Sequence, residues 1–274
     1  HSHCDAGYKK TVDGYYYTEV RNVLNSVASV VPADPEKRFV WAETVYLERW
    51  LQDTTVSSQL KKDLRRAVGE GQIEIVGGGW VMHDEAITSF SSQIAQVSLG
   101  HSRLPSLLGF RPNIRTGYQI DPFGPSSFSP TFMSRAGMSA VIDNRVPDDV
   151  KAVMRKNKEL EFVWEGSPQI GNSSRVLYHV YDTHYAAPDG FDWEDQVVYA
   201  PPVTSDNVRE RSLAFAEVCV NRSTFYATPL LLLPWGSDFR YVHQATYSCM
   251  AYSYMAYIHS VLIHGSTHIC FSSS

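Results

Sequence analysis

The stretch IRTGYQIDPFGPSSFSPTFMSRAGMSAVID, residues 114–143, decides the fold. Residues 114–120 read as a strand that stops at Asp121-Pro122-Phe123-Gly124, residues 127–136 as a helix, and residues 139–143 as a second strand. Short strands alternating with longer helices imply βα units around a parallel sheet. The same grammar extends both ways. Toward the N-terminus the spacing predicts a helix over 11–31 that ends before Pro32, a strand over 38–41 (RFVW) and a helix over 43–51. An amphipathic helix over 60–69, a strand over 73–76 (IEIV) running into three glycines and a helix over 91–108 follow. Toward the C-terminus it predicts strands over 161–164 and 175–180, a helix over 207–218 and a final apolar strand over 230–233. The fold class is α/β. Charged residues sit just past several strands, at Glu43, Asp84, Asp121, Arg145, Asp182 and Asp238, where parallel α/β folds carry their ligand sites.

Composition narrows the function classes. A net charge of −5 with no basic stripe excludes a general nucleic-acid binder, and 43% hydrophobic residues exclude wholesale disorder. The four cysteines form no CxxC pair, so neither a zinc ribbon nor a disulfide-dense scaffold is indicated. The opening His1, without Met, basic region or apolar leader, reads as a fragment or a processed product. All 24 Lys+Arg and 29 Asp+Glu lie at or before Arg240, which divides the chain into residues 1–241 and an atypical uncharged tail, 242–274. The tail's CMAYSYMAYIHSVLI is short and too polar for a membrane span. It reads as an aberrant C-terminus or, alternatively, as an interfacial or partner-binding helix.

Four segments hold candidate chemistry. In an extended HSHCD, His3 and Asp5 point to one side and Cys4 to the other, which makes either a metal site or a polar terminus. GGGW, followed by His83, Asp84 and Glu85, allows close ligand approach or merely a turn before a helix start. In QIDPFG, Pro122 restrains Asp121, preorganising a carboxylate to attack or ligate, or to form an Asx-type cap. Asp238, beside Trp235 and Phe239, is either a desolvated general acid or an ion-pair partner of Arg240 or Arg145. Carboxylates from two strand ends beside a metal pair suggest a glycosidase. His179 and His184 read as structural histidines.

These residues resemble a known family. HSHCDAGYKKTVDGYY, RFVWAE, GQIEIVGGGWVMHDEA, RPNIRTGYQIDPFG, FVWEGSP and WGSDFRY occur in the order seen in α-mannosidases of glycoside hydrolase family 38, with the lysosomal-type branch most similar. The resemblance spans residues 1 to about 241. It implies a seven-stranded, mostly parallel β/α barrel, here partial, and a zinc-dependent retaining α-mannosidase that removes non-reducing terminal α-D-mannose from N-glycans. It also implies that His3, Asp5 and Asp121 ligate Zn2+, that Asp121 is the nucleophile and that Asp238 is the general acid/base. Tyr8, Phe123, Arg145, Tyr181 and Asp182 resemble residues that contact the mannose. Tyr8 stands where the family usually has Trp, and Pro125 where it usually has His. The family's fourth zinc ligand, a histidine far beyond GSDFRY, is expected to be missing from this chain, as are the domains after the barrel. The implied partner is a mannose-containing glycan, with no nucleic acid and no membrane span. Sequons at Asn172 and Asn221 accord with the secretory pathway, the lysosome or vacuole ahead of the Golgi. A non-catalytic remnant of such an enzyme and a metal-dependent polysaccharide deacetylase are the rival readings.

Overall fold

The computed structural model describes residues 1–87, 89–192, 203–228 and 230–242 of the chain. The tail beyond 242 lies outside the described residues. The N-terminal helical run consists of α1 (Val12–Tyr15), a π-helical turn (Tyr16–Val20) and α2 (Arg21–Val30). The Thr11 hydroxyl opens it by accepting the Gly14 N–H. Its apolar face (Tyr15, Tyr16, Val20, Val23, Leu24, Val27) is buried against α3 (Thr44–Gln52) and α4 (Ser58–Gly69). Strands β1 (Phe39–Trp41) and β2 (Ile73–Ile75) pair in parallel beneath them.

The remaining strands are β3 (Thr116–Gln119), β4 (Ala140–Asp143), β5 (Glu161–Glu165) and β6 (Arg175–Val180). They form a second sheet in the order β3-β4-β6-β5. Helix α5 (Phe90–Leu108) connects β2 to β3, α6 (Phe128–Arg135) connects β3 to β4, and α7 (Asp148–Asn157) precedes β5. Helix α8 (Val208–Ser223) buries Phe215 and Cys219 against Leu160, Val180 and Phe191. The helix–strand alternation read from the sequence is therefore present. Helix α7 was not anticipated, although Pro147, Asp148 and Asp149 mark its start and Lys158, at φ 60°, its end.

Three features differ from a seven-stranded parallel barrel. Among the described residues there are six strands in two sheets. β5 runs antiparallel to β6, because only the short 3-10 segment Pro168–Ser174 joins them, whereas a parallel return needs a crossover of about a dozen residues or more. Residues 230–233 form no strand. Leu230 and Leu232 are exposed while Leu231 is buried, the alternation of an extended chain, but Pro234 has no N–H for a ladder.

Backbone hydrogen bonds link these pieces. The Gly77 N–H donates to the Thr116 carbonyl (2.7 Å), joining the end of β2 to β3. An isolated parallel bridge pairs His3 with Asp238: the His3 N–H donates to Ser237 O (3.1 Å) and the Phe239 N–H to His3 O (2.8 Å). Gly77 and Gly78 have φ of 65° and 63°, and a Cβ on Gly100 of α5 would lie 2.1 Å from the Gly78 carbonyl oxygen. The triple glycine thus lets a helix press onto a strand end.

Candidate active site

Three carboxylates and an imidazole converge where the His3–Asp238 bridge meets the end of β3. His3 is buried, and its Nε2 lies 3.1 Å from Asp5 Oδ1 and 3.5 Å from Asp121 Oδ2. Alternation along residues 3–5 brings His3 and Asp5 together and sends Cys4 into the core among the helices. Asp121 follows β3, and its Oδ1 accepts two hydrogen bonds from Arg145, from Nε at 3.1 Å and from Nη2 at 2.6 Å. That fork fixes the direction of the carboxylate.

Tyr185 was not singled out in the sequence, yet it touches both candidate catalytic acids. Its hydroxyl lies 3.1 Å from Asp121 Oδ1 and 2.8 Å from Asp238 Oδ1. Its single proton serves one of them at a time. Burial, then the neighbouring Asp238 and Asp121 carboxylates, push the phenol well above its ordinary range, so it stays neutral. Asp238 is exposed and meets neither arginine that its sequence neighbourhood offered: Arg240 pairs with Asp192 (3.1 Å) and Arg145 with Asp121. The residue after it, Phe239, sits at φ 50° and stacks on Tyr15 with ring centroids 4.5 Å apart. This strained backbone adjoins the candidate acid.

The electrostatics ask for positive charge. Burial works against an imidazolium at His3, but Asp121 and Asp5 outweigh it and raise the group to about 10. The His3 ring beside it, ahead of Arg145, holds Asp121 well below the usual carboxylate range. Glu43, just past β1, is buried with Oε2 lacking a partner, and burial raises it to about 7. Although both aspartates lie close to His3 Nε2, neither is aligned for a hydrogen bond with it. His3, Asp5 and Asp121 can each turn one ligand atom into a group within 4.8 Å of one another. A nitrogen and two carboxylate oxygens fit a divalent cation.

The other residues expected at the site are placed differently. Phe123 is 68% exposed, and the Arg145 guanidinium lies 5.1 Å from its ring centroid. Tyr8 is 77% exposed. Both present aromatic faces to solvent. Tyr181 is buried with Val76, Tyr118, Ile120 and Tyr185. Asp182 is fully buried, with Arg222 Nε of α8 at 3.4 Å. His179 pairs with Glu161 (2.9 Å) and stacks on Tyr226, a structural role. His83 is bracketed by Gln96 and Gln119 at 3.1 Å and 3.0 Å, and Glu85 accepts from Ser129 at 2.6 Å. The segment after GGGW therefore builds a buried polar network.

Among the described residues no helix is long and apolar enough to cross a membrane. The sequence profile of the glycosyl hydrolases family 38 N-terminal domain matches residues 1–264, continuing past position 241. Alpha-mannosidase F of Dictyostelium discoideum is 37% identical over 88% of this chain, and Alpha-mannosidase 2 of Arabidopsis thaliana 34% identical over 88%. The human Epididymis-specific alpha-mannosidase is 33% identical over 87%. The chain spans 24%, 22% and 25% of the lengths of these three proteins. An alpha-mannosidase from Enterococcus faecalis V583 shares the fold, with a TM-score of 0.66 and 19% identity over 98% of this chain and 29% of that one. With the profile covering nearly its whole length, the chain belongs to glycosyl hydrolase family 38 through that family's N-terminal domain.

Proposed function

We propose that this chain carries the hydrolytic site of a zinc-dependent, retaining α-mannosidase that removes non-reducing terminal α-D-mannose from N-glycan oligosaccharides. The observation that carries the reading is the Tyr185 hydroxyl shared by Asp121 and Asp238. One hydroxyl within hydrogen-bond distance of both acids keeps them nearer the ~5–5.5 Å of a retaining pair than the ~6.5–9.5 Å of an inverting one.

Asp121, ionised and aimed by Arg145, attacks the anomeric carbon and forms a glycosyl ester while the bond to the leaving oxygen breaks. Asp238, exposed toward solvent, protonates that oxygen and then takes a proton from the water that cleaves the ester. Tyr185 steadies whichever carboxylate is charged. His3, Asp5 and Asp121 would hold the zinc ion, which when bound supplies Lewis-acid binding of sugar hydroxyls. Tyr8 and Phe123 offer faces for the sugar ring. Tyr181 packs behind Tyr185, whereas Asp182, fully buried, pairs with Arg222 of α8. Residues 1–241 hold all these groups, and the exposed Asn172 and Asn221 suit a glycoprotein of the secretory pathway, in the lysosome or vacuole.

Purified chain with zinc is incubated with an aryl α-mannoside, and the first-formed anomer is read by proton NMR. Release of α-mannose, abolished by Asp121→Asn and by chelation, is the expected result. First-formed β-mannose overturns the retaining assignment. Acetate release from an acetylated polysaccharide, without mannoside turnover, favours deacetylase chemistry.

A further inference from the structure

One buried carboxylate near the site has no part in the chemistry above. Asp143 ends β4 and is 1% exposed. It shares a strand face with Val141, which packs on Met133 of α6. Its Oδ1 accepts the Asn144 N–H at 2.6 Å, and the Arg145 backbone N–H faces the same carboxyl. Two residues along, Arg145 makes its fork onto Asp121. The chain here is clamped from the other side as well: the Tyr181 N–H donates to Asp143 O (3.0 Å), and Lys151 of α7 donates to Asn144 Oδ1 (3.3 Å) and Thr183 O (2.8 Å).

We propose that Asp143 is a positioning residue: its buried carboxylate anchors the Asn144–Arg145 backbone and so aims the Arg145 guanidinium at Asp121. The inference rests on reading Asp121 as the nucleophile. An apolar side chain at this place would fill the same space without the cost of burying a polar group, but would leave the Asn144 N–H without its acceptor. Ionised acceptors make the stronger hydrogen bonds, so the anchor depends on the charge state of Asp143. The groups that face it are Glu85 from the loop after β2, Lys151 from α7 and the Tyr178 phenol of β6. Burial first, then the Glu85 charge, lifts Asp143 to about 7, against the opposing pull of the backbone N–H groups and Lys151. The carboxylate form, and with it the tighter anchor, gains as pH rises through neutrality.

The test uses the full chain, ¹⁵N-labelled, as wild type, Asp143→Ala and Asp143→Asn. The Asn144 and Arg145 amide resonances are expected to titrate together near neutral pH in the wild type and to stop doing so in Asp143→Asn. The Arg145 Nε–H resonance, protected by Asp121, is expected to broaden or vanish in Asp143→Ala and to persist in Asp143→Asn, whose amide oxygen still accepts. With an aryl α-mannoside, Asp143→Ala is expected to lose about ten- to a hundredfold in kcat with KM within about twofold. Asp143→Asn should recover most of that rate and lose the neutral-pH limb of the profile. Amides that ignore pH, an unchanged Arg145 Nε–H in Asp143→Ala, or an unchanged kcat would each overturn the proposal. If wild type shows no turnover, the hydrolase reading fails while the amide and Nε–H signals still decide the anchor. If Asp143→Ala does not fold, Asp143→Asn carries the test through its amides and pH profile.

Discussion

Asp121 and Asp182 are the same feature in the sequence: an aspartate just after a strand, facing an arginine from elsewhere in the fold. Asp121 meets Arg145 with side chains 27% and 34% exposed, and the same carboxylate also reaches His3 and Tyr185. Asp182 meets Arg222 with 0% and 12% exposed, and none of its carboxylate oxygens, nor Arg222 Nη1, has a hydrogen-bond partner. The first pair is open on one side and lies beside His3 and the Tyr185 hydroxyl. The second is sealed beneath α8. An acid at a strand end is therefore a candidate only until the elements that cover it are known.

The largest expected effect separates the two pairs by function. Asp121→Asn should lower kcat on an aryl α-mannoside by on the order of a thousandfold or more, as loss of a nucleophile does, with little change in the unfolding midpoint. Next in size is Asp182→Ala, which strands a buried guanidinium and should destabilise the fold by about 3–5 kcal/mol. For a chain of this size that is a fall of on the order of 10 °C in Tm, while kcat per folded molecule stays near wild type. Calorimetry and steady-state kinetics on both variants check the contrast. A catalytic loss in Asp182→Ala without a fall in Tm would break it and return Asp182 to the sugar site.

Tyr185→Phe sharpens the comparison from the site side. It keeps the ring packing against His3 and His184 but removes the hydroxyl between the two acids. A loss of about ten- to a hundredfold in kcat is expected, within the range of a single proton-positioning group, with a shifted pH profile. Kinetics unchanged across pH would remove Tyr185 from the mechanism.

Much of this was legible beforehand. The helix and strand segments follow from periodicity, and HSHCD, QIDPFG and GSDFRY converge in space as their motifs imply. Tyr185 was hidden because nothing in THYAAP distinguishes a tyrosine bridging two acids from the many tyrosines that fill a core. The burial of Asp182 was not legible because its partner, Arg222, lies on a helix far along the chain, and pairing at that distance leaves no periodic trace. The direction of β5 was readable in principle, since the link between the segments at 161–164 and 175–180 has no helical pattern long enough for a crossover. The missing ladder at 230–233 reflects a limit of composition: a run of four leucines suits an extended chain but names no partner for it.

The smallest expected effect calibrates both pairs against an acid that has partners but no part in the site. Asp53 ends α3 and accepts from the Tyr16 hydroxyl (2.6 Å), the Thr55 hydroxyl (2.6 Å) and the Thr55 N–H (2.8 Å). The Thr55 hydroxyl, then Tyr16, lowers it from 3.8 to about 2. A carboxyl depressed in the folded state stabilises the protein at pH above its unfolded value and loses that contribution as pH falls from about 4 through about 2. Because the group is well solvated, no more than about 1 kcal/mol is expected. Asp53→Asn should therefore lower Tm slightly at pH 7 and converge with wild type only as pH falls below about 2, leaving mannoside turnover unchanged. If Asp53→Asn cost as much stability as Asp182→Ala, partner count rather than burial would govern what these acids contribute, and the distinction drawn between Asp121 and Asp182 would lose its physical basis.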